Sequence, residues 1–277
     1  MLTSSSQVKD YWNSFADLYG NELEHIYLTA GLSLSSMLKI SQKSNILEVG
    51  CGSGLLSLHW LRNLSSSSVT YTSVDISDDM IKMAEERKKS LETKLNPIKH
   101  SFICGDAENL DFIGDETINA YIGSLVIHLT PDPVKLLQEA KRVLKKGGNI
   151  GFSVLGKTED SNFFSIIHNA LKNNGVVITS KSSGGLTLNS KESLIKVLEE
   201  NGFEVNFCWR ELITMDIFEE KDLNKALGQP RIAKTLSESD NEQRLKIESD
   251  VKTTFYNLKS QYIPLQAELF FIIATKK

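Results

Sequence analysis

Three short stretches of the chain place glycine and acid where a nucleotide-like ligand could use them, and two of them compete for it. Residues 46–56 read ILEVGCGSGLL: a buried-strand run, Asn45 to Val49, gives way to Gly50, Gly52 and Gly54, then to the apolar start of a helix at Leu55-Leu56. Glycines in such a turn permit positive φ and let a ligand approach the backbone with no Cβ in the way. Residues 151–158, GFSVLGKT, fit the phosphate-loop pattern G-x-x-x-x-G-K-[ST]. That pattern works where the N–H groups of an irregular loop wrap a phosphate. Here Phe152, Ser153, Val154 and Leu155 continue the run begun by Ile150 and read as the body of a strand. Only Gly156-Lys157-Thr158 would lie in the loop, too few amides for a triphosphate, so the match is assigned to a strand and an ordinary turn.

The earlier turn has suitable company. A dinucleotide fingerprint, G-x-G-x-x-G, would need glycine at 55, where this chain has leucine. Asp75 stands at the tip of the next strand, TYTSVDIS, twenty-one residues after Gly54, where a carboxylate can accept hydrogen bonds from ribose hydroxyls. The third stretch, ICGDAENL at 103–110, follows the third strand with an acid-small pair able to hold an adenine edge.

The elements that must position these groups follow from hydrophobic periodicity. Helices are expected over 5–19 and 22–42, then strands near 45–49, 69–75, 98–104, 117–123 and 148–155. Helices at about 54–64, 78–95 and 132–145 alternate with them, the last stopped by Gly147-Gly148. Strand-helix alternation at this spacing means βαβ units and a parallel sheet with right-handed crossovers. The second half predicts a helix at 161–173, a loop SSGGLT at 182–187 and a helix at 190–201. A strand near 203–209, a separate extended stretch at 211–215 and a mostly helical stretch from 217 to 262 come next. A C-terminal strand in LQAELFFIIATKK could return antiparallel to the same sheet.

With these residues the chain resembles the class I S-adenosylmethionine-dependent methyltransferases. Glu48-x-Gly50-x-Gly52-x-Gly54 looks like their first motif, Asp75 like their ribose acid and Asp106-Ala107 like their adenine-contacting pair. RVLKKGGNIGFSV at 142–154 is similar to the helix-turn-strand passage of the small-molecule branch, often called the type 11 group, and GFSVLGKT becomes the fifth strand. The resemblance implies an α/β fold, a seven-stranded, mostly parallel, doubly wound sheet with helical lid elements at both ends. It implies an N-terminal lid over 1–42, a methyltransferase domain over 43–277 and lid insertions at about 156–189 and 217–262. The expected cofactor is S-adenosylmethionine, held by Glu48, Gly50, Cys51, Gly52, Gly54, Asp75, Ile76, Asp106, Ala107, Ser124 and Tyr19. Glu48 would organise the methionine ammonium. Where the fourth strand of this group often begins with aspartate, this chain has Asn119, with Asp115 and Glu116 close by.

On the acceptor side, His128 in GSLVIHLTPD is a candidate general base, or simply a residue that fixes its loop. Tyr11, Trp12, Phe15 and Tyr19 recur at near-helical spacing and either pack the first helix or close it over the cofactor. Gly123-Ser124-Leu125-Val126 lacks the Asn/Asp-Pro-Pro-aromatic stretch of enzymes that methylate DNA or glutamine amino groups. Phe163, Phe164, Ile217, Phe218, Leu223 and Leu227 could line an apolar lid over a small acceptor. The expected reaction is methyl transfer to a small molecule by in-line displacement. A protein or RNA methyltransferase and a non-catalytic interaction subunit are the alternatives.

Composition fits a soluble globular chain of 277 residues with net charge −4. The Lys and Arg residues of 82–99 are interleaved with acids and read as a solvated helix face; no basic stripe for nucleic acid is visible. Cys51, Cys104 and Cys208 are too widely spaced for a zinc or disulfide framework, and His25, His59, His100 and His168 are unclustered, so no metal is expected. No apolar run reaches membrane-spanning length, and a cytoplasmic monomer or homodimer is expected.

Overall fold

The computed structural model describes residues 3–38, 40, 44–64, 68–96, 98–176, 188–228 and 230–277. The expected loop at 182–187 lies outside them. The chain opens with α1 (Ser5–Leu18), a π turn (Tyr19–Leu23) and α2 (Glu24–Ser36). The alternating core follows: β1 (Asn45–Val49), α3 (Leu55–Asn63), β2 (Thr70–Asp75), α4 (Asp78–Ser90), β3 (Lys99–Cys104), β4 (Ile118–Ser124), α5 (Pro133–Val143) and β5 (Leu144–Leu155). Then come α6 (Asn162–Asn173), α7 (Lys191–Glu200), β6 (Phe203–Thr214), α8 (Glu220–Leu227), α9 (Pro230–Ser237), α10 (Asn241–Ser260) and β7 (Gln266–Lys276).

The seven strands form one sheet in the order β3-β2-β1-β4-β5-β7-β6. Strands β1 to β5 pair in parallel, and β7 runs antiparallel to both β5 and β6. Because β1 lies between β2 and β4, the chain leaves it in one direction and returns on its other side. The crevice outside the tips of β1 and β4 is therefore the switch point where open sheets bind ligands. Apolar residues cover both faces. Leu34, Leu56, Leu58, Ile167 and Phe271 lie in the cluster on one side, and Leu47, Tyr121, Leu137, Phe152 and Leu198 in that on the other.

Local chemistry starts the helices where they are needed. Ser77 caps α4, its Oγ accepting from Met80 N–H at 3.1 Å, which turns the chain sharply after Asp75. Asp132 caps α5 through the N–H groups of Val134 and Lys135, with Pro133 at the first helical position.

Three expectations are corrected. α5 ends at Val143, before the glycine pair; Gly147 (φ 73°) and Gly148 instead sit in the bulged start of β5, where register jumps from Ile118–Leu144 to Ala120–Asn149. The separate stretches at 203–209 and 211–215 are one strand, because β7 is long enough to pair through both, with an irregularity between Val205 and Phe207. Arg87 and Lys88 are not simply solvated. Arg87 reaches the N-terminal helices, and Lys88 Nζ donates to the carbonyl of His100 at 2.9 Å.

Candidate active site

The turn after β1 carries three left-handed glycines in five residues: Gly50 at φ 63°, Gly52 at 56° and Gly54 at 83°. A Cβ at Gly54 would lie 2.7 Å from Cζ of Phe102 and 2.9 Å from Cβ of Ala84, so the turn is also pressed tightly onto its neighbours. Three of its amides are already used. Cys51 N–H donates to the Val74 carbonyl, Gly54 N–H to the Cys51 carbonyl, and Gly52 N–H to Asp75 Oδ2 at 2.8 Å. A turn so satisfied has few donors left for a pyrophosphate and suits a ligand without phosphate.

Asp75 is buried at the tip of β2. Oδ2 holds Gly52 and Oδ1 accepts from Ser77 N–H at 2.9 Å, so one carboxylate ties the β1 and β2 tips together. With backbone donors at Gly52, Ser77 and Ile76, the carboxylate still keeps lone-pair capacity for a ligand hydroxyl. Burial raises its pKa to about 6. Asp106 folds its carboxylate back on Glu108 N–H at 2.8 Å in an Asx turn, which presents Ala107 beside it.

These groups share one open cleft of about 720 Å³, lined by Gly50, Gly52, Asp75, Ile76, Asp106 and Ala107 among others. Trp12 and Val8 of α1 close one side; Leu125, Val126, Leu129 and Pro131 close another. Leu125 has φ 56°, uncommon for a branched residue, and its N–H is held by Ser153 through carbonyl and hydroxyl. A second cavity of about 400 Å³ lies under α2 between Tyr19, Glu24, Tyr27, Glu48 and Leu56. Tyr19, Gly50, Gly52, Ser124 and Leu125 line both cavities.

Carboxylates dominate around the turn. Glu48 is buried, and its Oε2 accepts from Ser57 Oγ at 2.5 Å and Tyr71 OH at 2.7 Å. Burial nevertheless raises its pKa to about 7. Glu24, also buried, is raised by burial against the opposing effect of Ser53 and Arg87. With Asp75, three carboxyl groups face the turn, and each is costly to ionise without a cation nearby. The arrangement favours a ligand with positive charge and no phosphate.

Residues 47–152 match the family model described as "Methyltransferase domain". That matched stretch runs from β1 into β5 and includes the tips of β1 to β4 that line the larger cleft. The chain is 37% identical over 105 residues to a phosphatidylethanolamine N-methyltransferase of Cereibacter sphaeroides. The match covers 38% of this chain and 47% of that protein, so it spans about half of the curated relative. Among solved structures, the [4+2]-cyclase SpnF superposes with a TM-score of 0.61 at 17% identity, over 99% of this chain and 97% of the cyclase. A phosphoethanolamine N-methyltransferase of Haemonchus contortus, solved with phosphomonomethylethanolamine and S-adenosylhomocysteine, gives 0.57 at 15% identity, over 100% of this chain and 60% of that one. At such identities the two structures show the shared fold.

The site agrees in charge with S-adenosylmethionine, the expected donor. The structure brings most of the expected residues together. Tyr19, Gly50, Gly52, Asp75, Ile76, Asp106, Ala107 and Ser124 line the larger cleft; Glu48 and Cys51 line the smaller. Gly54 lines neither and acts as the left-handed cap of α3.

His128 does not face the reaction zone as expected. The 3₁₀ turn Ile127–Leu129 directs Leu129 and Val126 at the cleft, His128 lines neither cavity, and burial lowers its pKa to about 4. Among the described residues, the two insertions do not line the cavities either. Phe163, Ile217, Leu223 and Leu227 are buried in the core, while Phe218 is exposed. Helical periodicity marked these residues as apolar without saying which surface they meet. Phosphate binding at GFSVLGKT is closed: Gly156 N–H donates to the Glu268 carbonyl and Lys157 N–H to its carboxylate at 2.9 Å, leaving a negative charge where a phosphate would sit.

The sequence reading did not find Glu24, Tyr27, Leu125 or Arg87. Arg87 was masked by its lysine-rich surroundings. For Glu24 the available signal was an acid within the helix expected to close over the cofactor, but nothing in its spacing to Gly52 announced contact.

Proposed function

We propose that this chain transfers the methyl group of S-adenosylmethionine to a small-molecule acceptor. The observation that carries the reading is the junction of the two cavities: one walled by the acids suited to a nucleoside, the other lying under α2, and both meeting at Tyr19, Ser124 and Leu125. When bound, S-adenosylmethionine supplies a methyl group already activated on sulfonium. Asp75 would accept from the ribose hydroxyls and the backbone at Asp106-Ala107 would flank the adenine. Glu48 would favour the positive charge. The acceptor's task is then positional, a nucleophile held in line at roughly 3 Å. The aromatic ring of Tyr19 and the apolar Leu125 exclude water there without placing a competing cation.

A cavity of about 400 Å³ under α2 has room for a small acceptor. Incubation with methyl-labelled donor and a fractionated cell extract tests the proposal. Label is expected in the small-metabolite fraction. Label confined to protein or RNA, or donor binding without any transfer, contradicts it.

A further inference from the structure

The helix α3 begins at a glycine. Its N-cap, Gly54, has no side chain, so the first amides of the helix receive no cap from their own segment. The substitute comes from the N-terminal helices. The Glu24 carboxylate sits close enough to the Leu55 N–H, the first amide of α3, for that amide to favour its ionised form, and it accepts a hydrogen bond from Ser53 Oγ. Its Oε1 lies against Gly52, 2.9 Å from where a Cβ would stand. A carboxylate at a helix N-terminus is favoured by both the free amides and the helix dipole.

Arg87 of α4 completes the arrangement. Its Nη1 bonds Glu24 Oε2 at 2.7 Å and the Ser53 carbonyl at 3.2 Å, and its Nη2 bonds the carbonyl of Gly20. One guanidinium thus joins the N-terminal helices to the glycine turn. The close seat of Gly20 is needed for this, since a Cβ there would lie 2.3 Å from Met83 Sδ.

The π turn makes the contact possible. In an α-helix, residues five apart point about 140° away from each other. Here Glu24 N–H bonds the Tyr19 carbonyl, an i→i+5 closure, which brings residue 24 back over the face of residue 19. Both then meet Gly52, Tyr19 through Cε1 and Glu24 through Oε1.

We propose that Glu24 is a positioning residue for cofactor binding: seated by the π turn and Arg87, it caps α3 and fixes the 50–54 turn in its binding shape, so that docking of the N-terminal helices and binding of the donor are coupled. This rests on the reading of the turn as the S-adenosylmethionine site. The coupling is reciprocal: whatever loosens the helices weakens the donor, and the donor holds the helices down.

The test uses the full chain with Glu24→Gln and Arg87→Gln, read by donor kinetics and by amide hydrogen exchange. Both variants are expected to raise KM for S-adenosylmethionine on the order of tenfold, with kcat within about twofold. They are also expected to speed exchange over 5–36 and 54–58 together, and the double variant should be no worse than the more severe single one. Loss of kcat at unchanged KM, or unchanged exchange in both segments, overturns the proposal. Arg87→Gln leaves the carboxylate in place and carries the test should Glu24→Gln fail to fold. A wild type that binds no donor contradicts the functional reading instead, and the exchange measurement still decides whether Glu24 fixes the turn.

Discussion

Glu48 is a carboxyl group that folding makes hard to ionise. It goes from an ordinary 4.5 to about 7 on burial, and Asp75 from 3.8 to about 6. A group whose folded pKa is raised stabilises the fold fully below its unfolded pKa and loses that contribution as pH rises through the folded value. The ligand-free protein should therefore lose stability between pH about 4 and about 7. Carboxylates held low, such as Glu139 beside Arg142, have the opposite sign and act below that window. Glu48→Gln should flatten the slope, removing on the order of 1–3 kcal/mol of pH-dependent change. Urea midpoints at pH 5 and 7.5 check this; equal slopes in the two proteins contradict it. The chemistry of Glu48, Asp75 and the glycines was legible because their roles depend on near neighbours in the chain. Glu24 was not, because its contact with Gly52 passes through an extra residue in a helical turn that periodicity cannot register.

At the scale of elements, regular helices and parallel strands followed directly from the pattern of apolar residues, and the departures have physical causes. β6 reads as two pieces in isolation and forms one because β7 offers a continuous partner from Gln266 to Lys276. α5 stops before its glycines because Leu144 is already paired with Ile118 in the sheet. The start of α5 also fixes the cleft-lining segment before it: Asp132 caps the helix, while its own N–H is held by Glu108 at 2.7 Å. Asp132→Ala should cost about 1 kcal/mol and Asp132→Asn far less. Thermal unfolding of the pair measures it, and equal losses in both would show that the cap is not the cause.

For the whole molecule, sheet order decides where a ligand can sit, and that was readable from the alternation of strands and helices. What the insertions do was not. Both are apolar enough for a lid, yet α10 packs on α6, and among the described residues it is the N-terminal helices, not the insertions, that wall the two cavities. Nor does the fold settle chemistry, as the cyclase of the same architecture makes plain. The account therefore stands on three strand tips serving one ligand. Hydrogen exchange with increasing S-adenosylhomocysteine measures this directly. Protection should appear at 50–54, 75–77 and 105–107 together and saturate at one ligand concentration. Protection at one tip without the others, or no saturable protection at all, would contradict it.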